Sequence, residues 1–226
     1  MNIRNVIFDN GGVLANPRTG HWYMTTNFWN ILDINEEANK DIIKEAMKKY
    51  QYILTQEPKT ELEEYNMFVE FYYQVLREID YNNLSKEIAG KLASDCVYND
   101  DKYVFFDDVD TELQKLSEKY DLYMISDAWA SSFRVLDNRN ISKYFKSIMI
   151  SAMESKTKRE GLFEIFLEKN KNIVPQESVF IDDREDILDK ASECGFNVLL
   201  MDRSGESTEN KYKIIHNLEE IDKLIK

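Results

Sequence analysis

Cysteine and histidine are almost missing from this chain. Cys96 and Cys194 stand alone with no CxxC spacing, which leaves a disulfide framework without material. His21 and His216 are too few and too far apart for a zinc site or a Ser-His-Asp triad. Basic residues are in deficit as well: 29 Lys and Arg against 42 Asp and Glu give a net charge of −13. Binding to a polyanion begins with an excess of basic side chains, so no nucleic-acid partner is expected, and an anionic ligand would need a locally positive site. The apolar run at the N-terminus is too short for a secretory leader. No internal repeat or low-complexity tract occurs. No membrane partner is expected, and a reducing cytoplasm is the expected setting.

What is present is material for a core. With 43% apolar and 12% aromatic residues the chain can bury a hydrophobic interior, so its many charges describe a solvated surface. A length of 226 residues exceeds one average domain and falls short of two, as expected for a core domain carrying an insertion. The stretch Val6-Ile7-Phe8-Asp9-Asn10-Gly11-Gly12-Val13-Leu14 reads as a buried strand that ends in a carboxylate and a tight turn. The tip of the first strand is where an open α/β sheet builds its ligand crevice, although one Asp before a Gly pair also serves as a plain cap.

Beyond Leu14, Pro17 and Gly20 break the periodicity and mark a candidate hinge. From there to about Asp101 the spacing is helical. Ala38, Ile42, Ala46, Tyr50 and Ile53 share one face behind the cap residue Asn35. Leu62, Tyr65, Val69, Tyr72, Leu76 and Ile79 share another, widened by Phe68, Phe71 and Val75, and Leu84, Ile88 and Leu92 suggest a third. Trp22, Tyr23, Phe28 and Trp29, just after the hinge, are read as packing in preference to the lining of a pocket at the crevice. After Asp101 helices are predicted over 111–120, 131–138, 160–169 and 185–194, and strands over 122–125, 147–150, 179–181 and 198–201. Short apolar strands alternating with helices predict a parallel sheet covered on both faces. The predicted fold is α/β: an open, Rossmann-like parallel sheet from residues 1–16 and 102–226, with an inserted all-α cap at 17–101.

Polar residues collect at the ends of the predicted strands: Asp9, Ser126 with Asp127, Lys158 at the start of a helix, and the pair Asp182-Asp183. Singly, Lys158 reads as a surface lysine and Ser126 as a cap. Together and in this order they resemble the haloacid dehalogenase (HAD) superfamily of hydrolases with a helical type 1 cap. The first family motif is matched by Phe8-Asp9-Asn10-Gly11-Gly12-Val13-Leu14 and the second by Met124-Ile125-Ser126-Asp127. The third, a lysine opening a helix, is matched by Ser151 through Lys158, and the fourth by Val179-Phe180-Ile181-Asp182-Asp183, with Ala191 and Gly195 following. The resemblance spans the whole chain, and its specificity comes from the order and spacing of the motifs.

The resemblance implies a Mg2+-dependent phosphohydrolase acting on a small phosphomonoester, such as a sugar phosphate. Asp9 would be the nucleophile and form an aspartyl phosphate. Mg2+ would be held by Asp9, the backbone carbonyl of Gly11 and Asp183, with Asp182 beside them. Ser126 and Lys158 would hold phosphoryl oxygens, and Asp127 and Arg18 would contact substrate. Crowded carboxylates such as Asp182 and Asp183 raise each other's pKa unless a cation is present. The chain departs from the family twice. Gly11 stands where a second Asp, the general acid and base, is usual, and it is a candidate for a positive φ. Ile187 stands where a polar residue supporting the metal is usual, with Asp186 one position early. Rival readings are a 2-haloacid dehalogenase, in which Asp9 attacks carbon, and a non-catalytic homologue that binds a phosphorylated ligand or a protein.

Overall fold

The computed structural model describes residues 2–206 and 211–225. The chain divides into two compact units: Met1–Asn16, Val104–Ala128 and Ser132–Lys226 make one, and Pro17–Tyr103 with Trp129–Ser131 the other. After the first strand, β1 (Asn5–Phe8), the chain changes unit inside two short strands, β2 (Ala15–Pro17) and β3 (Tyr103–Phe105), which pair as a ribbon. Three residues from the stretch expected to be core, Trp129–Ser131, join the helical unit instead. Packing is the reason: the Trp129 ring meets Phe68 edge-on at 5.0 Å, and Ser131 is bonded to the buried Glu64.

The helical unit contains α1 (Phe28–Leu32), α2 (Glu36–Tyr50), α3 (Glu61–Glu78) and α4 (Lys86–Tyr98). Each of the three long helices starts at a side-chain cap. Asn35 accepts from Ala38 N at 2.9 Å, Thr60 from Glu63 N at 3.2 Å and Ser85 from Ile88 N at 3.2 Å. The face that α2 buries is Ile43, Ala46 and Met47, whereas Ile42, expected inside, is 53% exposed. Both rows have helical spacing, and the row with Met47 offers a flexible side chain that fills an irregular interior. Ile53 falls in a 3-10 turn beyond the end of α2. On α3 the aromatic row of Phe68, Phe71 and Tyr72 is buried and Leu62 is exposed, since the larger rings remove more apolar area from water. Trp22 packs on Tyr103 and Trp29 on Phe28, in keeping with the packing role expected of them.

In the other unit β1 is joined by β4 (Asp121–Ser126), β5 (Phe145–Ile150), β6 (Ser178–Asp182), β7 (Asn197–Met201) and β8 (Ile214–Ile215). They form one parallel sheet in the order β5-β4-β1-β6-β7-β8. Residue alternation sends Val6, Phe8, Leu122, Met124, Val179 and Ile181 to one buried cluster, and Ile7, Tyr123, Ile125 and Phe180 to another. The sheet is covered by α5 (Val109–Ser117), α6 (Ser131–Asn138), α7 (Ser151–Glu154), α8 (Leu162–Lys169), α9 (Glu185–Glu193) and α10 (Ile221–Leu224). Val6, Ile7 and Phe8 have no exposed surface, and burial on this scale is worth about 1.5–3 kcal/mol per side chain. β1 lies between β4 and β6, so the order of strands reverses across it, and a crevice opens at its carboxyl end. No helix among the described residues is long and apolar enough to cross a membrane.

Candidate active site at the carboxyl ends of the central strands

Asp9 follows β1 directly, and its N–H donates to Ile181 O at 2.9 Å, which holds it to the edge of the sheet. The chain then folds back: Asn10 O accepts from the N–H groups of Val13, Leu14 and Ala15 at 3.3, 2.8 and 3.0 Å. Gly12, and not Gly11, takes the positive φ, at +72°. A Cβ at Gly12 would also sit 2.1 Å from Asp183 Oδ2. Both conformation and space therefore call for glycine at residue 12.

The lysine of the third motif opens a 3-10 turn, Lys158–Glu160, and not the predicted α-helix; Gly161 at φ +112° ends the turn, and α8 begins at Leu162. Thr157 and Glu160 form a capping box around that turn, and Lys158 N donates to Asp127 Oδ1 at 2.8 Å. These bonds aim the side chain inward. Lys158 is 3% exposed, its Nζ donates to Asp182 Oδ2 at 2.6 Å, and it lies 3.1 Å from Asp9 Oδ1. Burial works to lower its pKa, but Asp9, Asp182 and Asp127 outweigh burial and hold it above the ordinary lysine value. Lys158 is thus a fixed ammonium, outnumbered by the carboxylates around it.

Asp9, Asp182 and Asp183 each bring a carboxylate oxygen within 4.8 Å of the others. Asp9 Oδ1 is buried and accepts no hydrogen bond. Loss of water, and then the charge of Asp9, pushes the Asp183 carboxyl up to about 6. Burial and Asp9 likewise push Asp182 above the usual carboxylate range, against the pull of Lys158. An all-oxygen donor set with an orphaned oxygen and mutual repulsion fits a hard divalent cation. Asp182 differs from the other two because both its oxygens are engaged, Oδ2 by Lys158 Nζ and Oδ1 by Arg184 N at 3.0 Å.

Ser126 ends β4 and is 2% exposed, beside β1 in the sheet. Asp127 follows it and is exposed. Arg18 belongs to the helical unit, where its Nε donates to Asp101 O at 2.6 Å. Asp186 accepts from Arg159 Nε at 2.7 Å and also bonds Arg184, while Ile187 is buried in the core. A cavity of about 610 Å3 on this edge is lined by Gly12, Asn16, Asp183, Arg184, Asp186 and Arg203 among others. Three features of this region were not picked out from the sequence. The Thr157–Glu160 box was legible as a T-x-x-E pattern. Gly12 and Arg203 were not. Arg203 donates to Val13 O at 3.1 and 2.6 Å and pairs with Asp108 at 2.7 Å, across 190 residues of chain in the first case.

No family model matches the sequence, and no curated protein does. Solved structures do match. The magnesium-bound structure of YfnB from Bacillus subtilis, described as a HAD-hydrolase, superposes with a TM-score of 0.72 at 13% identity, covering 100% of this chain and 99% of that one. The fold is that of the HAD-superfamily hydrolases. L-2-haloacid dehalogenase from Xanthobacter autotrophicus matches with a TM-score of 0.63 at 13% identity, over 99% of this chain and 98% of that one. A HAD-superfamily hydrolase of subfamily IA, variant 1, from Geobacter sulfurreducens matches with a TM-score of 0.61 at 17% identity, over 100% and 97%. The HAD fold thus covers the helical unit as well as the sheet, and its relatives include both dehalogenases and a magnesium-bound protein.

Proposed function

We propose that the protein is a Mg2+-dependent hydrolase of small phosphomonoesters, with sugar phosphates as the leading substrate class, and that it works in the cytoplasm. The observation that carries this reading is the gathering of Asp9, Asp182 and Asp183 around a buried ammonium. A phosphomonoester and a 2-haloacid are both anions and both need positive charge beside Asp9; the two further carboxylates favour phosphorus, because a divalent cation that they help to hold serves phosphoryl oxygens and has no part in displacing halide.

Asp9 attacks phosphorus with one oxygen and forms an aspartyl phosphate, which water then hydrolyses. Lys158, held by Asp182 on one side, presents its charge to the phosphoryl oxygens, and Ser126 adds a hydroxyl donor. Asp9, Asp183 and the Gly11 carbonyl are the groups that would hold Mg2+. The cation would supply charge neutralisation and orientation of the phosphoryl group. Asp182 is assigned to positioning Lys158 rather than to the metal, because its oxygens are already bonded.

The test is a Mg2+ titration with a panel of phosphomonoesters, run beside 2-chloropropionate with halide detection. Phosphate release that requires Mg2+ and disappears with EDTA is expected. Metal-independent halide release would replace this reading with the dehalogenase one, and binding of a phosphorylated ligand without turnover would replace it with the non-catalytic one.

A further inference from the structure

Gly11 leaves the leaving group of a phosphomonoester without the acid that the first motif would otherwise supply. Resting on the phosphatase reading above, we propose that Asp127 fills this role, protonating the departing oxygen and later taking a proton from water. The groups closest to Asp9 already have other tasks. Lys158 is shared between Asp9 and Asp182, Asp182 is bonded at both oxygens, and Asp183 belongs with the cation. The hydroxyl of Ser126 is too weak an acid.

Asp127 is differently placed. Asp127 directly follows Ser126 at the carboxyl end of β4, the strand beside β1, and so stands on the same sheet edge as Asp9. Its Oδ1 is anchored by Lys158 N at 2.8 Å, which leaves Oδ2 to carry a proton, and the residue is open to solvent. The charged groups that act on it are Asp9 from the end of β1 and Lys158 and Arg159 from the 3-10 turn. Loss of water raises its pKa, with Asp9 adding to the rise and the two cations opposing it.

In the first step Asp9 bonds to phosphorus, the bond from phosphorus to the leaving oxygen breaks, and the Asp127 proton passes to that oxygen to give the free alcohol. In the second, Asp127 takes a proton from water as the water oxygen bonds to phosphorus and the Asp9–phosphorus linkage breaks. Phosphate is released, and both carboxyls return to their starting states.

The experiment compares the parent, Asp127→Asn and Asp127→Glu on phosphomonoesters of graded leaving-group pKa, from p-nitrophenyl phosphate to alkyl phosphates. Asn keeps an Oδ1 acceptor for Lys158 N but has no proton to give, so it separates acid catalysis from positioning. For Asp127→Asn, kcat/KM on alkyl phosphates should fall about 10²- to 10⁴-fold, and on p-nitrophenyl phosphate by less than about tenfold. The alkaline limb of the parent pH profile should vanish in Asp127→Asn and return, with part of the alkyl rate, in Asp127→Glu. An equal loss across all leaving groups, or no loss, overturns the assignment while the hydrolase reading stands. A parent that cleaves no phosphomonoester at all refutes both.

Discussion

Two lysines are almost wholly buried among the described residues, one in each unit, and their neighbours are opposite in kind. Lys158, 3% exposed, faces the carboxylates of Asp9 and Asp182 at 3.1 and 2.6 Å. Lys102, 1% exposed, meets the Cys96 thiol at 3.8 Å and the rings of Tyr103, Trp129 and Phe68 at 5.5, 5.8 and 6.0 Å, with Glu64 acting on it through space. Glu64 in turn accepts from Ser131 N and Oγ, both at 2.8 Å, so its oxygens are used. Asp9 Oδ1 has the Lys158 ammonium 3.1 Å away but accepts no hydrogen bond, whereas both oxygens of Glu64 beside Lys102 are hydrogen-bonded. A buried charge cluster with capacity to spare can receive a ligand. One whose carboxylate is already bonded serves the packing of its own unit.

The largest effect should come from the group with spare capacity. Asp9→Asn is nearly isosteric, and it should lower phosphatase turnover by roughly 10⁴-fold or more while the urea midpoint stays close to the parent's. Activity within tenfold of the parent would dissolve the distinction between the two clusters. Replacing the lysines tests it next. Lys158→Met strands Asp9 and Asp182 in the interior, and urea unfolding should register a loss of about 3–5 kcal/mol. Lys102→Met leaves a flexible apolar chain among three rings, and its loss should stay under about 2 kcal/mol. Equal costs would mean that the aromatic cage holds its ammonium as firmly as carboxylates do.

A smaller effect sharpens the metal side of the comparison. Gly12→Ala forces Asp183 aside, and the Kd for Mg2+ measured by calorimetry should rise about 10- to 100-fold, the range usual for displaced supports of a metal site. Gly12→Ala binding Mg2+ as tightly as the parent would remove Asp183 from the ligand set. The smallest expected effect is a dependence on pH. The folded Asp183 carboxyl titrates near 6 against an ordinary 3.8, so between these values the folded state holds more protons than the unfolded one. Stability therefore falls as pH rises through that window. Mg2+ relieves the repulsion only when the carboxylates are ionised. Its stabilising shift in Tm should be larger at pH 7.5 than at pH 5, and an equal shift at both would place the cation elsewhere.

Much of the sheet was legible because its strands are short apolar runs with both faces buried, and such runs are read without knowing their neighbours. Val179 to Ile181 and Leu122 to Ile125 fall within β6 and β4 as expected. The faces of α2 and α3 were legible only in part. Ile42 and Ile43 are equivalent to a periodicity, and choosing between them depends on which helix lies alongside. Trp129 was counted with the sheet because it follows Ser126 in sequence; a neighbour sixty-one positions earlier, Phe68, is what draws it into the helical unit.

By itself the sequence determined the alternation of strands and helices, the order of the polar residues at the strand ends, and the absence of a side chain at Gly11. These follow from side-chain chemistry and local spacing, which a linear chain carries in full. Only the tertiary structure decided that Lys158 is aimed by a 3-10 turn at Asp182 and Asp9, that Asp127 anchors this turn, and that Gly12 makes room for Asp183. Each of these joins residues from different strands, and distances between strands are set by register and packing, on which the spacing of residues within any one strand is silent.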